Sequence, residues 1–161
     1  MSIRFVEMTA SHVEPVAALE AAVSTAPWSR GLFADELTLD ASERFWLVAV
    51  DGAGDADGSV VGFGGLMFVG EDAHLMNIAV APTVRRRGIG RRLFDALAQA
   101  AMDRGCVHLT LEVRVSNSSA IALYEDRGMH SVGVRPGYYE DGEDASIMWW
   151  YDMALANEVT T

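Results

Sequence analysis

Arg85-Arg86-Arg87-Gly88-Ile89-Gly90-Arg91-Arg92 lies between an apolar run ending at Val80 and the start of a helical pattern. The chain has no lysine, so its 12 cationic residues are all arginines, and five of them fall in this octet. Against a formal net charge of −11 this is a strong local excess of positive charge. Two glycines let backbone N–H groups approach a ligand without Cβ atoms in the way. The helix that follows offers unpaired N–H groups and the positive end of its dipole. Together these features describe a pocket for a phosphate-bearing ligand. Taken alone, the octet fits a basic surface turn equally well. The strand before it and the polar residues after it decide between the two.

Working outward, the expected elements are a strand at Ile3–Met8, a helix at Ser11–Val23 capped by Thr9 or Ser11, and a helix at Arg30–Leu39 after Pro27-Trp28-Ser29. Strands are expected at Phe45–Val50, Val60–Val69 and His74–Val80, with Asp51–Ser59 as a long, flexible hairpin loop. A helix follows at about Gly90–Arg104, where Ile89, Leu93, Leu97 and Ala101 recur every four positions as one buried stripe. His108–Val115 alternates cleanly, with Val107, Leu109, Leu111 and Val113 on one face and His108, Thr110, Glu112 and Arg114 on the other. Asn117 or Ser118 caps a short helix to Asp126. Strands at Met129–Arg135 and Ala145–Tyr151 flank an acidic loop, and Ala154 to Thr161 is expected to fray. The order of elements gives an α/β (α+β) mixed sheet with helices on its faces, in one domain spanning 1–161.

Composition removes several functional classes. Half of the 161 residues are hydrophobic and 22% are charged, a globular balance. A pI near 4.6 argues against nucleic-acid binding through general charge neutralisation. The one cysteine, Cys106, excludes an internal disulfide, fits a reducing compartment and has no recognisable base partner, which argues against a thiol-acyl intermediate. His12, His74, His108 and His130 show no metal-ligand spacing, so no metal is expected. No apolar run is long enough to span a membrane, and the N-terminus lacks the layout of a signal peptide. The expectation is a soluble cytoplasmic protein. A GxGxxG dinucleotide site lacks its third glycine here and no early strand leads into it, and a P-loop lacks its lysine.

The chain resembles the GNAT superfamily of acetyl-coenzyme A-dependent N-acetyltransferases. That family's pyrophosphate loop, Q/R-x-x-G-x-G/A, is matched by Arg85-Arg86-Arg87-Gly88-Ile89-Gly90. The likeness extends through Met76-Asn77-Ile78-Ala79-Val80, Leu111-Glu112-Val113-Arg114, Ser116-Asn117 and Ala120-Ile121-Ala122-Leu123-Tyr124-Glu125, and is similar to the RimI-type ribosomal-protein-alanine N-terminal acetyltransferases. The resemblance implies a mostly antiparallel, twisted sheet of about seven strands, with helices on both faces and acetyl-CoA in the cleft between the two central strands. It implies Glu112 as proton acceptor and Tyr124 as proton donor. By pattern alone, Glu112 also fits a surface glutamate and Tyr124 an aromatic packed under a helix.

The resemblance further implies cofactor contacts from Ile78, Ala79, Val80, Arg86, Arg87, Gly88, Ile89, Gly90, Arg91 and Asn117. It implies an acceptor site lined by Trp28, Met76, Tyr138 and Tyr139, of which the three aromatics also suit plain packing. Glu140, Asp141, Glu143 and Asp144 read either as a solvated hairpin tip or as an attractor for a cationic N-terminal segment. Pro136-Gly137 stand where related sequences often carry an asparagine, and the Asp51–Ser59 loop is an insertion. The implied partner is the N-terminus of a protein substrate, ribosomal by resemblance, with no nucleic acid and no membrane, and a monomer or weak dimer as the working form. Competing readings are a GNAT enzyme acting on lysine side chains, a small amine or an antibiotic, a non-catalytic acetyl-CoA sensor, and a nucleic-acid binder.

Overall fold

The computed structural model describes residues 2–52 and 58–154. Most of the expected Asp51–Ser59 loop and the fraying tail beyond Ala154 therefore lie outside the described residues. The elements run β1 (Ile3–Glu7), α1 (Val13–Val23), α2 (Arg30–Glu36), β2 (Arg44–Asp51), β3 (Ser59–Val69), β4 (Asp72–Val80), α3 (Ile89–Asp103), β5 (His108–Arg114), α4 (Ser118–Asp126), β6 (His130–Arg135) and β7 (Ala145–Trp150). The seven strands form one sheet in the order β1-β2-β3-β4-β5-β7-β6. The pairs β1–β2, β2–β3, β5–β7 and β6–β7 are antiparallel, while β4 runs parallel to β5. The expected mixed, mostly antiparallel seven-stranded sheet is thus present.

Two compact units make up the fold, one from Met1–Met67 with Asn77–Gln99 and the other from Phe68–Met76 with Ala100–Thr161, each through its described residues. In the first, β2 is buried from Trp46 to Val50 and β3 from Val61 to Leu66, as the apolar centres of these strands should be. Glycines in β3 admit close neighbours: a Cβ at Gly64 would lie 2.5 Å from Leu97 Cδ1, and one at Gly65 2.4 Å from the Trp46 ring. Trp46 joins Trp28, Phe33 and Phe63 in a cluster with ring centroids 5.4–6.4 Å apart. Its indole N–H is satisfied by Glu36 Oε1 at 3.1 Å, which also accepts from Arg44 Nε at 2.9 Å. The expected stripe of α3 holds, since Ile89, Leu93, Leu97 and Ala101 are all buried.

In the second unit the β5 alternation is borne out. Leu109, Leu111 and Val113 are buried, and His108, Thr110, Glu112 and Arg114 form the half-exposed face. Asn117 caps α4, its Oδ1 accepting from the Ala120 N–H at 3.2 Å.

Two helix boundaries differ from expectation. The first helix opens as a 3₁₀ turn at Ala10–His12 before α1, because the Thr9 N–H donates to His12 Nδ1 at 2.9 Å and the His12 N–H to the Thr9 carbonyl at 2.9 Å. The second stops at Glu36 rather than Leu39. There the N–H groups of Thr38 and Leu39 bond only three residues back, and Thr38 Oγ1 takes the Asp35 carbonyl at 2.6 Å.

Candidate active site

The arginine/glycine loop belongs to the first unit. It is stretched between two buried anchors, Val84 and Ile89, which pack with Ala49 and Val61. Between the anchors, Arg86 (φ 66°) and Gly88 (φ 76°) take left-handed backbone conformations on either side of Arg87. Left-handed residues in a turn are the backbone setting in which anion-binding concavities form. The Gly88 carbonyl accepts from the Arg92 N–H at 3.1 Å, so the N–H groups of Ile89, Gly90 and Arg91 form the first turn of the 15-residue α3. This geometry fits the pyrophosphate of acetyl-CoA.

A Cβ at Gly88 would meet nothing within 4 Å, so glycine is needed there for its dihedral angle rather than for space. Not every arginine faces outward for a ligand. Arg85 Nε donates to the Val80 carbonyl at 3.3 Å, and the Arg92 guanidinium lies 5.1 Å from the Phe5 ring centroid. Ile78, Ala79 and Val80 are half-buried at the end of β4.

Also in this unit, half-buried Trp28 is packed into the aromatic cluster. Its backbone N–H donates to Glu20 Oε2 at 3.0 Å, which accepts from Asn77 Nδ2 at 2.9 Å as well. Glu20, only 3% exposed, is a buried carboxylate that the sequence reading passed over. The available signal was its position in α1, on the face it shares with buried Val16 and Leu19.

The second unit holds Glu112 and Tyr124, the residues expected to move protons. Glu112 Oε2 accepts from His74 Nε2 at 2.5 Å, and Glu112 Oε1 lies 3.8 Å from Arg135 Nε. The hydrogen bond from His74 holds the Glu112 carboxyl below its ordinary range; burial opposes it, and the charges of His74 and Arg135 add to it. His74 had no role in the sequence reading. It joins Glu112 through the parallel ladder, which sets His74 beside Thr110, two residues before Glu112 on the same face.

Tyr124, on α4, is 5% exposed, and burial pushes its phenol well above the ordinary tyrosine range, with a smaller contribution from Tyr139. It therefore stays protonated at any physiological pH, so a proton is available there, although burial makes the phenol a weaker acid. Tyr139 is half-buried, its phenol raised chiefly by burial, and Tyr138 is 49% exposed. The two rings meet edge to face at 5.0 Å. Met76 is half-buried on β4. Asn117 has its capping bond, which leaves room for the expected cofactor contact at its remaining hydrogen-bonding groups.

The acidic tip is not merely solvated. Asp141 and Glu143 both accept from Arg114, and Asp144 Oδ1 accepts from the Gly137 N–H at 2.9 Å. The Cys106 thiol is buried and pushed up by that burial, so it is poorly suited to act as a nucleophile. Among the described residues no group of His, Cys, Asp and Glu is arranged to hold a metal ion. Nor is any described helix long and apolar enough to cross a membrane.

Residues 13–129 match the acetyltransferase (GNAT) family. The ribosomal protein bS18-alanine N-acetyltransferase of Escherichia coli (strain K12) is 39% identical over 125 residues, 76% of this chain and 79% of that protein. The crystal structure of the ribosomal-protein-S18-alanine N-acetyltransferase from Escherichia coli superposes with a TM-score of 0.82 at 31% identity, covering 94% of each chain. Ard1 from Thermoplasma volcanium has a TM-score of 0.83 at 26% identity, covering 94% of this chain and 98% of its own.

Proposed function

The chain belongs to the acetyltransferase (GNAT) family, and from that premise we propose that it acetylates the α-amine of a protein N-terminus, the alanine of a small-subunit ribosomal protein. Bound acetyl-CoA supplies a thioester-activated acetyl group. In this reading Glu112 takes a proton from the acceptor's α-ammonium, directly or through a water, and passes it to solvent. The freed amine attacks the thioester carbonyl and the C–S bond breaks. Tyr124 protonates the departing sulfur and recovers its proton from the nitrogen as the amide forms, so the net products are amide, thiol and one proton.

The observation that carries the acceptor assignment is the likeness, over most of the chain, to alanine N-acetyltransferases of ribosomal protein bS18, 39% identical over 125 residues in one relative. The amine chemistry agrees with it. An α-ammonium has a pKa of about 7.7–8.0 against about 10.4 for lysine, so freeing the lysine amine costs about 3.5 kcal/mol more. At a common pH below both pKa values, the free-amine fraction of an N-terminus exceeds that of a lysine by more than two orders of magnitude, whatever the base. The chain is read as one acetyltransferase domain, cytoplasmic, working as a monomer or weak dimer with no membrane or nucleic-acid partner, consistent with its net charge of −11.

Tyr124→Phe removes a single hydroxyl from a buried ring, so folding and the thermal shift given by acetyl-CoA should persist. Turnover should fall about 10²-fold or more, as for loss of a general acid. Steady-state kinetics beside a melting curve check this, and wild-type turnover would remove Tyr124 from the mechanism. The acceptor assignment is tested by intact-mass analysis of small-subunit ribosomal proteins from cells with and without this chain. One protein should lose the mass of an acetyl group from an N-terminal alanine. Identical masses in both would contradict the assignment.

A further inference from the structure

We propose that Arg114 is a positioning residue for the acceptor: it clamps the 136–144 loop and so fixes where Tyr138 and Tyr139 stand. This rests on the N-terminal acetyltransferase reading above, in which those tyrosines hold the substrate. Arg114 leaves β5 on the same face as Glu112, two residues later. Its Nη1 donates to Asp141 Oδ2 at 2.8 Å and to Glu143 Oε1 at 2.9 Å, while its guanidinium lies 4.0 Å from the Tyr139 ring centroid. The next two residues continue the attachment. The Val115 N–H donates to the Asp144 carbonyl at 3.2 Å, and the Ser116 N–H to Glu143 Oε2 at 2.9 Å.

Within the loop the carboxylates are spent on shape. Asp141 Oδ1 accepts from the Glu143 N–H at 3.0 Å, and Asp144 holds Gly137. The Tyr139 N–H donates to the Glu143 carbonyl at 3.2 Å, and its own carbonyl accepts from Gly142 at 2.9 Å. Ser116 first and Arg114 second hold the Glu143 carboxyl below its ordinary range, so it stays charged and engaged.

A single exposed ion pair contributes little. Here one planar cation serves two carboxylates and the face of a tyrosine, which the point charge of a lysine cannot reproduce. Without Arg114, four acids within five residues would repel one another and Tyr139 would lose its support. The rival account, in which these acids bind a cationic acceptor directly, predicts the opposite sign. Removing Arg114 would then free two carboxylates and tighten the binding of basic peptides.

The test compares two alanine-initiated peptides, one arginine-rich and one neutral, in wild type, Arg114→Gln and Arg114→Lys. In Arg114→Gln the peptide KM should rise about 10- to 100-fold for both, the scale of a misplaced substrate seat. The acetyl-CoA KM and the turnover at saturating peptide should stay near wild type, and Arg114→Lys should recover only part of the loss. A lower KM for the arginine-rich peptide, or unchanged KM for both, would overturn the proposal. If Arg114→Gln folds poorly, Glu143→Gln tests the other end of the clamp. It should raise the KM of the neutral peptide, and an unchanged value would overturn the proposal. A wild-type enzyme that acetylates neither peptide refutes the acceptor reading instead. In that outcome amide hydrogen exchange over 137–144 still reports on the clamp, which requires faster exchange in Arg114→Gln and fails if exchange is unchanged.

Discussion

Replacing Glu112 by glutamine is expected to lower turnover about 10²–10⁴-fold at neutral pH, the range for loss of a general base. Glutamine keeps the shape of the side chain and can still accept from His74 through its amide oxygen, but it cannot take the amine's proton. Cofactor binding should be nearly intact. The deficit should shrink as pH rises past about 8, where the α-amine is already neutral. Because the wild-type carboxyl is held below its ordinary range, it remains a base well into the acid range. The acid limb of the wild-type profile is therefore set by the amine rather than by Glu112. The same depression has a stability consequence. The charged form of Glu112 contributes stability above its unfolded pKa, and that contribution is lost as pH falls through its lower folded pKa. A pH–rate profile of both proteins checks the account, and wild-type turnover in Glu112→Gln at neutral pH would exclude Glu112 as the base.

The second large effect is expected at Gly88. In wild type, acetyl-CoA at about a hundred times its Kd should stabilise the fold by about 2.7 kcal/mol through mass action. For a chain of 161 residues this is a rise in Tm of about 5–11 °C, at about 2–4 °C per kcal/mol. Valine at position 88 would have to hold a φ of 76°, a conformation that costs a β-branched residue of order 1–3 kcal/mol. Relieving that strain redirects the N–H groups that open α3, so most of the ligand-induced shift should vanish. Gly88→Asn, whose side chain tolerates left-handed backbone, should keep most of it. Differential scanning fluorimetry with and without acetyl-CoA distinguishes them. An undiminished shift in Gly88→Val would contradict the assignment of the loop.

What the sequence disclosed about this site follows from how local each signal is. The alternation of Leu109, Leu111 and Val113 with Thr110, Glu112 and Arg114 has a period of two, so the strand and the outward face of Glu112 were readable directly. The stripe of α3 was readable for the same reason at its own period. His74 was not, because it meets Glu112 across 38 positions through a parallel register that no local pattern encodes. The left-handed backbone at Arg86 was equally hidden, since arginine carries no preference for it. The acids near Tyr139 read as a run of charge, whereas two of them turn back across 27 and 29 positions to Arg114. Glu20 looked like an ordinary helix glutamate until Trp28 and Asn77 were seen to converge on it.

The central claim is that an α-amine, and not a lysine side chain, receives the acetyl group. The most direct measurement is tandem mass spectrometry of the product from a peptide that begins with alanine and carries one internal lysine. The account predicts acetylation at the alanine nitrogen, with the lysine slower by about two orders of magnitude or more, as the difference in amine pKa requires. Comparable acetylation of the lysine when the N-terminus is blocked, or activity on small amines alone, would contradict it.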